Sequence, residues 1–210
     1  MSRAPSAVRH RSIDPGEADS RTRYELLTSL VVPRPIGWIG TRGPDDVPNL
    51  APFSYFAAVS HTPMLLSVSI GRRRGGMKDT LRNVLHRQAF CVNLVTERHL
   101  EAMNLTSGGY GPDVDEFEVA GLQIRDSPWV DAPWVADAPA VFHCRVYRVV
   151  ELGASPSTLV LGEVVGLLLD ERLDYEAGTS RVDPRTLGPV GRLSGSEYTL
   201  LGQVLRLPRP

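Results

Sequence analysis

Two cysteines in 210 residues, Cys91 and Cys144, are too few for a disulfide framework. Each sits in an apolar stretch where a small buried thiol fits. Neither sign of charge is in excess: the net charge is -1, so the chain lacks the basic field that draws proteins to nucleic acid or anionic lipid. No apolar run approaches the roughly 20 residues that span a bilayer. The first residues are polar and arginine-rich with no hydrophobic segment behind them, which makes the cytoplasm the expected location. The five histidines (His10, His61, His86, His99, His143) show no paired ligand spacing on a helix face, which argues against a metal site. Gly71-Arg72-Arg73-Arg74-Gly75-Gly76-Met77-Lys78 misplaces the lysine for a triphosphate loop, and the three spaced glycines of a dinucleotide fold are missing. Arg192-Leu193-Ser194-Gly195 lacks the glycine spacing of a nucleophile elbow, so hydrolysis is disfavoured.

What remains is one domain of moderate size, 42% hydrophobic and 22% charged. Residues 1–20 mix Pro, Ser, Gly and charge without periodicity and read as a mobile arm, leaving 21–210 as the folded domain. Short apolar runs between Gly and Pro follow: Ile36-Gly37-Trp38-Ile39-Gly40-Thr41, then 64–70, 90–94, 141–150 and 158–169. These predict strands. Several are apolar on both alternations and need cover on both faces, from a barrel interior on one and from helices or a second subunit on the other. Two helices are expected. Over 79–87, Leu81, Val84 and Leu85 share a face; over 96–104, Leu100 and Met103 share one behind the cap residue Thr96. The fold class is therefore mainly β with short helices.

Acidic residues cluster at Asp113, Asp115, Glu116 and Glu118, a run that reads as a solvated face. Lys78-Asp79-Thr80 at a helix start reads either as an ordinary cap or as an anion cradle with a cation, a hydroxyl and the helix dipole. Arg72-Arg73-Arg74 reads equally as a solvated hairpin or as an electrostatic guide for phosphates. Pro52 is expected to break a ladder and leave the N–H groups of Ser54, Tyr55 and Phe56 available to a ligand.

The ordered series Pro33-Arg34-Pro35-Ile36-Gly37-Trp38-Ile39-Gly40-Thr41, Asn49-Leu50-Ala51-Pro52-Phe53-Ser54-Tyr55-Phe56, Ser67-Val68-Ser69-Ile70 and Lys78-Asp79-Thr80 resembles the flavin reductase-like family. The resemblance runs on through Phe90-Cys91-Val92-Asn93-Leu94, Asp115-Glu116-Phe117, Leu161-Gly162-Glu163 and Pro189-Val190-Gly191-Arg192-Leu193. It implies an FMN-binding split β-barrel of Greek-key type, working as a homodimer. It also implies an enzyme passing hydride from NADH or NADPH to the flavin, FMN or alternatively FAD, and supplying reduced flavin to a partner monooxygenase. A flavoredoxin-like protein that retains its flavin, or a cofactor-binding protein without turnover, is the alternative. By this resemblance Trp38, Thr41, Asn49, Ala51 and Pro52 wall the flavin ring, while Ser54, Tyr55, Phe56, Ser69, Lys78, Asp79 and Thr80 serve the ribityl phosphate side. Arg192 approaches a partner's flavin. Ala57, Trp134 and His143 depart from the family pattern; His143 reads as a core histidine or as a proton donor, and Trp129 and Trp134 as packing or as a substrate pocket.

Overall fold

The computed structural model describes residues 8–72, 76–153 and 155–208. Residues 8–19 contain turns but no helix or strand. Helix α1 (Ser20–Leu30) follows, a helix the sequence reading did not anticipate; Asp19 caps it by accepting from the Thr22 N–H at 2.6 Å. Then come β1 (Arg34–Pro35), β2 (Gly37–Arg42), β3 (Pro48–Phe53), β4 (Phe56–His61), β5 (Met64–Gly71), α2 (Asp79–Arg87) and β6 (Ala89–Leu94). A turn of 3-10 helix, Glu97–His99, leads into α3 (Leu100–Leu105), and α4 (Glu116–Val119) precedes β7 (Ile124–Asp126) and β8 (Pro133–Val135). Two long strands, β9 (Ala140–Glu151) and β10 (Ser157–Leu169), are followed by α5 (Pro184–Leu187), β11 (Gly191–Arg192) and β12 (Tyr198–Thr199). The predicted strands and both predicted helices are present, the second split between the 3-10 turn and α3.

Seven strands form one antiparallel sheet in the order β3-β2-β6-β9-β10-β5-β4. The sheet curls until β3 at one edge touches β5 near the other, making a barrel that stays split along one seam. Gly37 marks the crowding across that seam: a Cβ there would lie 2.9 Å from the Phe56 ring, so glycine admits the close approach.

Side-chain alternation explains the two-sided apolar strands. Ile39, Phe90, Val92, Val68, Ile70 and Val160 point inward to one core, closed at an end by Leu81 and Val84 of α2. On the opposite face of β2 and β3, Trp38 and Leu50 pack under Met103 of α3, Phe117 of α4 and Val135 of β8. On the outer face of β6 and β9, Ala89, Cys91 and Val141 pack beneath Ala132, Val130 and Trp134. Helices and loops thus cover the outer face there. Along β4, β5, β9 and β10, Val59, Met64, Tyr147, Leu167 and Leu169 are exposed. Leu85, expected on the inner face of α2, is also exposed.

Candidate functional site, a cleft at the first turn of helix α2

Pro52 does not interrupt the sheet. It pairs with Trp38 inside β3, which is tolerated because β3 is an edge strand and the missing N–H costs no ladder bond on the open side. β3 therefore runs as a rigid rail and presents Asn49, Ala51 and Pro52 to a cleft of about 340 Å³. The opposite wall is the start of α2, with Lys78, Asp79 and Thr80, and the third wall is the loop containing Thr106, Ser107, Gly108, Gly109 and Tyr110. Six of the thirteen residues expected at the site meet in this cleft.

The floor is a buried hydrogen-bond network. Asn49 Nδ2 donates to Thr41 Oγ1 and to Thr80 Oγ1, both at 3.2 Å, and Asn83 Nδ2 donates to Thr41 Oγ1 at 3.2 Å. Thr41 is fully buried behind Asn49, so it fixes the amide and does not line the cleft itself. Such mutually satisfied buried groups hold side chains in one rotamer and mark a preorganised surface. Lys78 occupies the N-cap position of α2 with its Nζ 5.2 Å from the Phe53 ring centre, and Asp79 pairs with Arg82 at 2.8 Å. The cleft thus has a helix N-terminus, a cation and a hydroxyl side by side, the ingredients of an anion cradle.

Trp38 lies elsewhere. It is fully buried against α3, and its Nε1 donates to Thr106 Oγ1 at 2.9 Å; that hydroxyl donates to the Met103 carbonyl at 2.8 Å. It supports the loop wall from beneath instead of forming a wall. Ser69 faces away from the barrel interior and does not line the cleft; its N–H donates to the Tyr55 carbonyl at 2.8 Å. Tyr55 is 38% exposed, with its phenol pushed up by partial burial. Phe56 packs at the barrel seam, and Ser54 and Arg192 line a neighbouring cavity that adjoins the cleft through Pro52 and Ser107. Arg73 and Arg74 lie outside the described residues.

Glu116 overturns the reading of the acidic run as a solvated face. Asp115 caps α4 by accepting from the Phe117 N–H at 2.8 Å, and this turns Glu116 inward until it is 7% exposed. Its Oε2 accepts from the Leu50 N–H at 3.0 Å, so the carboxyl ties α4 to the edge strand and reaches the cleft. Burial pushes its pKa up to about 7, opposed by the Leu50 hydrogen bond and reinforced by the nearby Asp79 and Asp115 charges. The sequence offered one signal for the loop wall, the Gly- and Ser-rich run 106–111 after a helix, and none for Glu116.

His143 is fully buried on the outer face of β9, opposite Cys91 of β6. Its Nδ1 lies 3.3 Å from Cys91 Sγ, its ring stands 4.8 Å from that of Trp129, and its Nε2 has no hydrogen-bond partner among the described residues. Burial depresses its pKa to about 4, leaving it neutral, and pushes both cysteine thiols up. Trp134 packs on the same ring edge-on at 6.2 Å, so both tryptophans act as packing here. A depression of about 800 Å³ near Leu173 and Leu187 has three arginines on its lining, each matched to a carboxylate: Arg172 to Asp170, Arg185 to Asp183 and Arg98 to Asp137. It presents surface ion pairs.

Residues 29–182 match the family described as flavin reductase like domain. The chain is 38% identical over 186 residues to an uncharacterized protein of Aquifex aeolicus, covering 87% of this chain and 91% of that one. Among solved structures it superposes on nitrilotriacetate monooxygenase component B from Bacillus cereus with a TM-score of 0.90 and 34% identity, covering 96% of this chain and 100% of that one. The 2-nitrobenzoate 2-nitroreductase NbaA of Pseudomonas fluorescens follows at TM-score 0.85 and 30% identity, with 95% and 96% covered.

Proposed function

The chain belongs to the flavin reductase like family, and on that premise we propose that it binds FMN at the α2 cleft and reduces it with NADH or NADPH. The observation that carries this reading is the convergence of Lys78, Thr80 and the first turn of α2 on one cleft with Asn49, Ala51 and Pro52. A ribityl phosphate, nearly a dianion, needs such donors, because a buried charge without them is prohibitive. The cleft's volume lies within the range of about 300–1,000 Å³ common to small-molecule sites.

In this reading Lys78, Thr80 and the α2 N–H groups hold the phosphate, while Ala51 and Pro52 offer a flat apolar wall and Asn49, held by Thr41 and Thr80, offers an amide at a fixed angle. FMN, when bound, supplies the hydride acceptance and electron release. The protein's contribution is orientation and charge compensation. Glu116, titrating near neutrality, holds or releases a proton at the cleft and gives the activity its pH dependence. Likeness to a monooxygenase component supports delivery of reduced flavin to a partner oxygenase. Exposed apolar residues on β4, β5, β9 and β10, such as Val59 and Tyr147, support a homodimer that covers this face.

An absorbance titration with FMN, followed by anaerobic NADH and NADPH, tests the proposal. A perturbed flavin band that one nucleotide bleaches is the expected result. Bound flavin that neither bleaches would reduce the protein to a flavin carrier, and a flavin band unperturbed at saturating protein would remove the cleft assignment. Light scattering on the eluted protein tests the dimer.

A further inference from the structure

Beside the cleft lies a second cavity of about 200 Å³, and among the described residues its lining contains Arg34 and Arg192 but no aspartate or glutamate. Arg34 is 7% exposed. Its Nη1 donates to the Thr28 and Val31 carbonyls at 2.5 and 2.8 Å, its Nη2 to the Leu193 carbonyl at 2.7 Å, and its Nε to Ser54 Oγ at 3.4 Å. The carbonyls of Thr28 and Val31 belong to the end of α1, where the helix dipole favours a cation. Those bonds place the guanidinium but bring no opposite charge, and one of its five N–H groups is left over. Arg192 stacks on the Tyr198 ring at 4.4 Å and donates from Nη2 to the Gly195 carbonyl, which leaves most of its fork unspent. Neither arginine forms an ion pair among the described residues, in contrast to the three around the depression near Leu173. Ser54, Asn104 and Ser107 add neutral polar groups to the same wall.

Two guanidiniums facing a concave, partly desolvated space without a carboxylate focus a positive potential on it. We infer that this cavity is an oxyanion subsite: Arg34, Arg192 and Ser54 receive the carboxylate or phosphate end of a second substrate, whose remainder reaches the cleft across Pro52 and Ser107. Its volume equals about seven waters at roughly 30 Å³ each, enough for an acid group with a short stem and too little for a whole dinucleotide. The role as a second-substrate site rests on the flavin reading of the cleft; the binding of an oxyanion does not.

The test is calorimetric titration of the full-length, flavin-free protein with inorganic phosphate and separately with benzoate, against chloride at equal ionic strength. Binding of either oxyanion, weakened at least tenfold in Arg192→Gln and partly restored in Arg192→Lys, is the expected result. Which of the two binds identifies the acid group. Arg34 is left intact because its carbonyl bonds tie α1 to the strand end at Leu193. Oxyanion binding equal in wild type and Arg192→Gln, or no stronger than chloride, overturns the inference. The same titrations are repeated with FMN and with riboflavin present. Phosphate displaced by FMN but not by riboflavin would give the cavity to the flavin's own phosphate and overturn the second-substrate role. Undiminished binding in a protein that takes up no flavin would sink the cofactor reading and leave the oxyanion site standing.

Discussion

The barrel carries two buried polar clusters, one on the inward-facing side of β2 and β3 at the end closed by α2 and one on the outer face of β6 and β9, and they have been built to opposite ends. Around β3 and α2, the side chains of Thr41, Asn49, Asn83 and Thr80 satisfy one another and open on a cleft, with the carboxyl of Glu116 held against Leu50 N–H. Around β6 and β9, His143 meets Cys91 and two tryptophan rings, and its Nε2 has no partner among the described residues. Burial disfavours the charged form of both titratable groups, raising the acid to about 7 and lowering the base to about 4. The difference is what surrounds them. A network whose polar atoms are paired and whose edge faces a cavity is prepared for a ligand, whereas a single polar ring enclosed by indoles is core.

The sharpest way to break this comparison is Asn49→Leu. It removes the donor shared by Thr41 and Thr80 and should cost about 3 kcal/mol in urea unfolding, with flavin affinity falling alongside. Lys78→Ala should leave stability nearly unchanged and weaken FMN binding about tenfold, roughly 1.4 kcal/mol, in a fluorescence-quenching titration. The pH dependence of stability comes next. Because folding raises the Glu116 pKa to about 7, the folded chain binds this proton more tightly than the unfolded one. Its contribution is complete below the ordinary carboxylate range, declines as pH rises toward 7, and is flat beyond. Glu116→Gln, which keeps an acceptor for Leu50 N–H, should erase that slope. His143 works in the other sense: its lowered pKa gives a contribution present above about 6.5 and lost as pH falls toward 4. His143→Leu should remove that acid sensitivity, change stability at neutral pH by about 1 kcal/mol or less, and leave FMN affinity within twofold. An equal loss of flavin from His143→Leu and Lys78→Ala would erase the distinction between site and core.

The strands were legible because Ile39, Phe90 and Val92 alternate with Trp38, Ala89 and Cys91, and both sets have a core to enter. Helix α1 was hidden because its apolar residues face outward: Tyr24, Leu27 and Leu30 are exposed while Thr28 is buried, so no inward stripe exists to read. In the cleft, Asn49, Lys78 and Thr80 were found through family resemblance. Spacing alone could not bring them together, since 31 residues separate Asn49 from Thr80. Glu116 was misread for a similar reason. A carboxylate beside other acids is usually solvated, and its burial depends on a backbone N–H that lies 66 residues earlier in the chain.

The order of the sheet has a mechanical meaning. Its two edge strands, β3 and β4, are joined by only Ser54 and Tyr55, so the seam that hydrogen bonds leave open is clasped by the covalent chain itself. The barrel behaves as a bracelet with a two-link fastener. A backbone cut between Ser54 and Tyr55 would leave every rung of the seven-stranded ladder in place while freeing the rim that carries Pro52 from the strand across the gap.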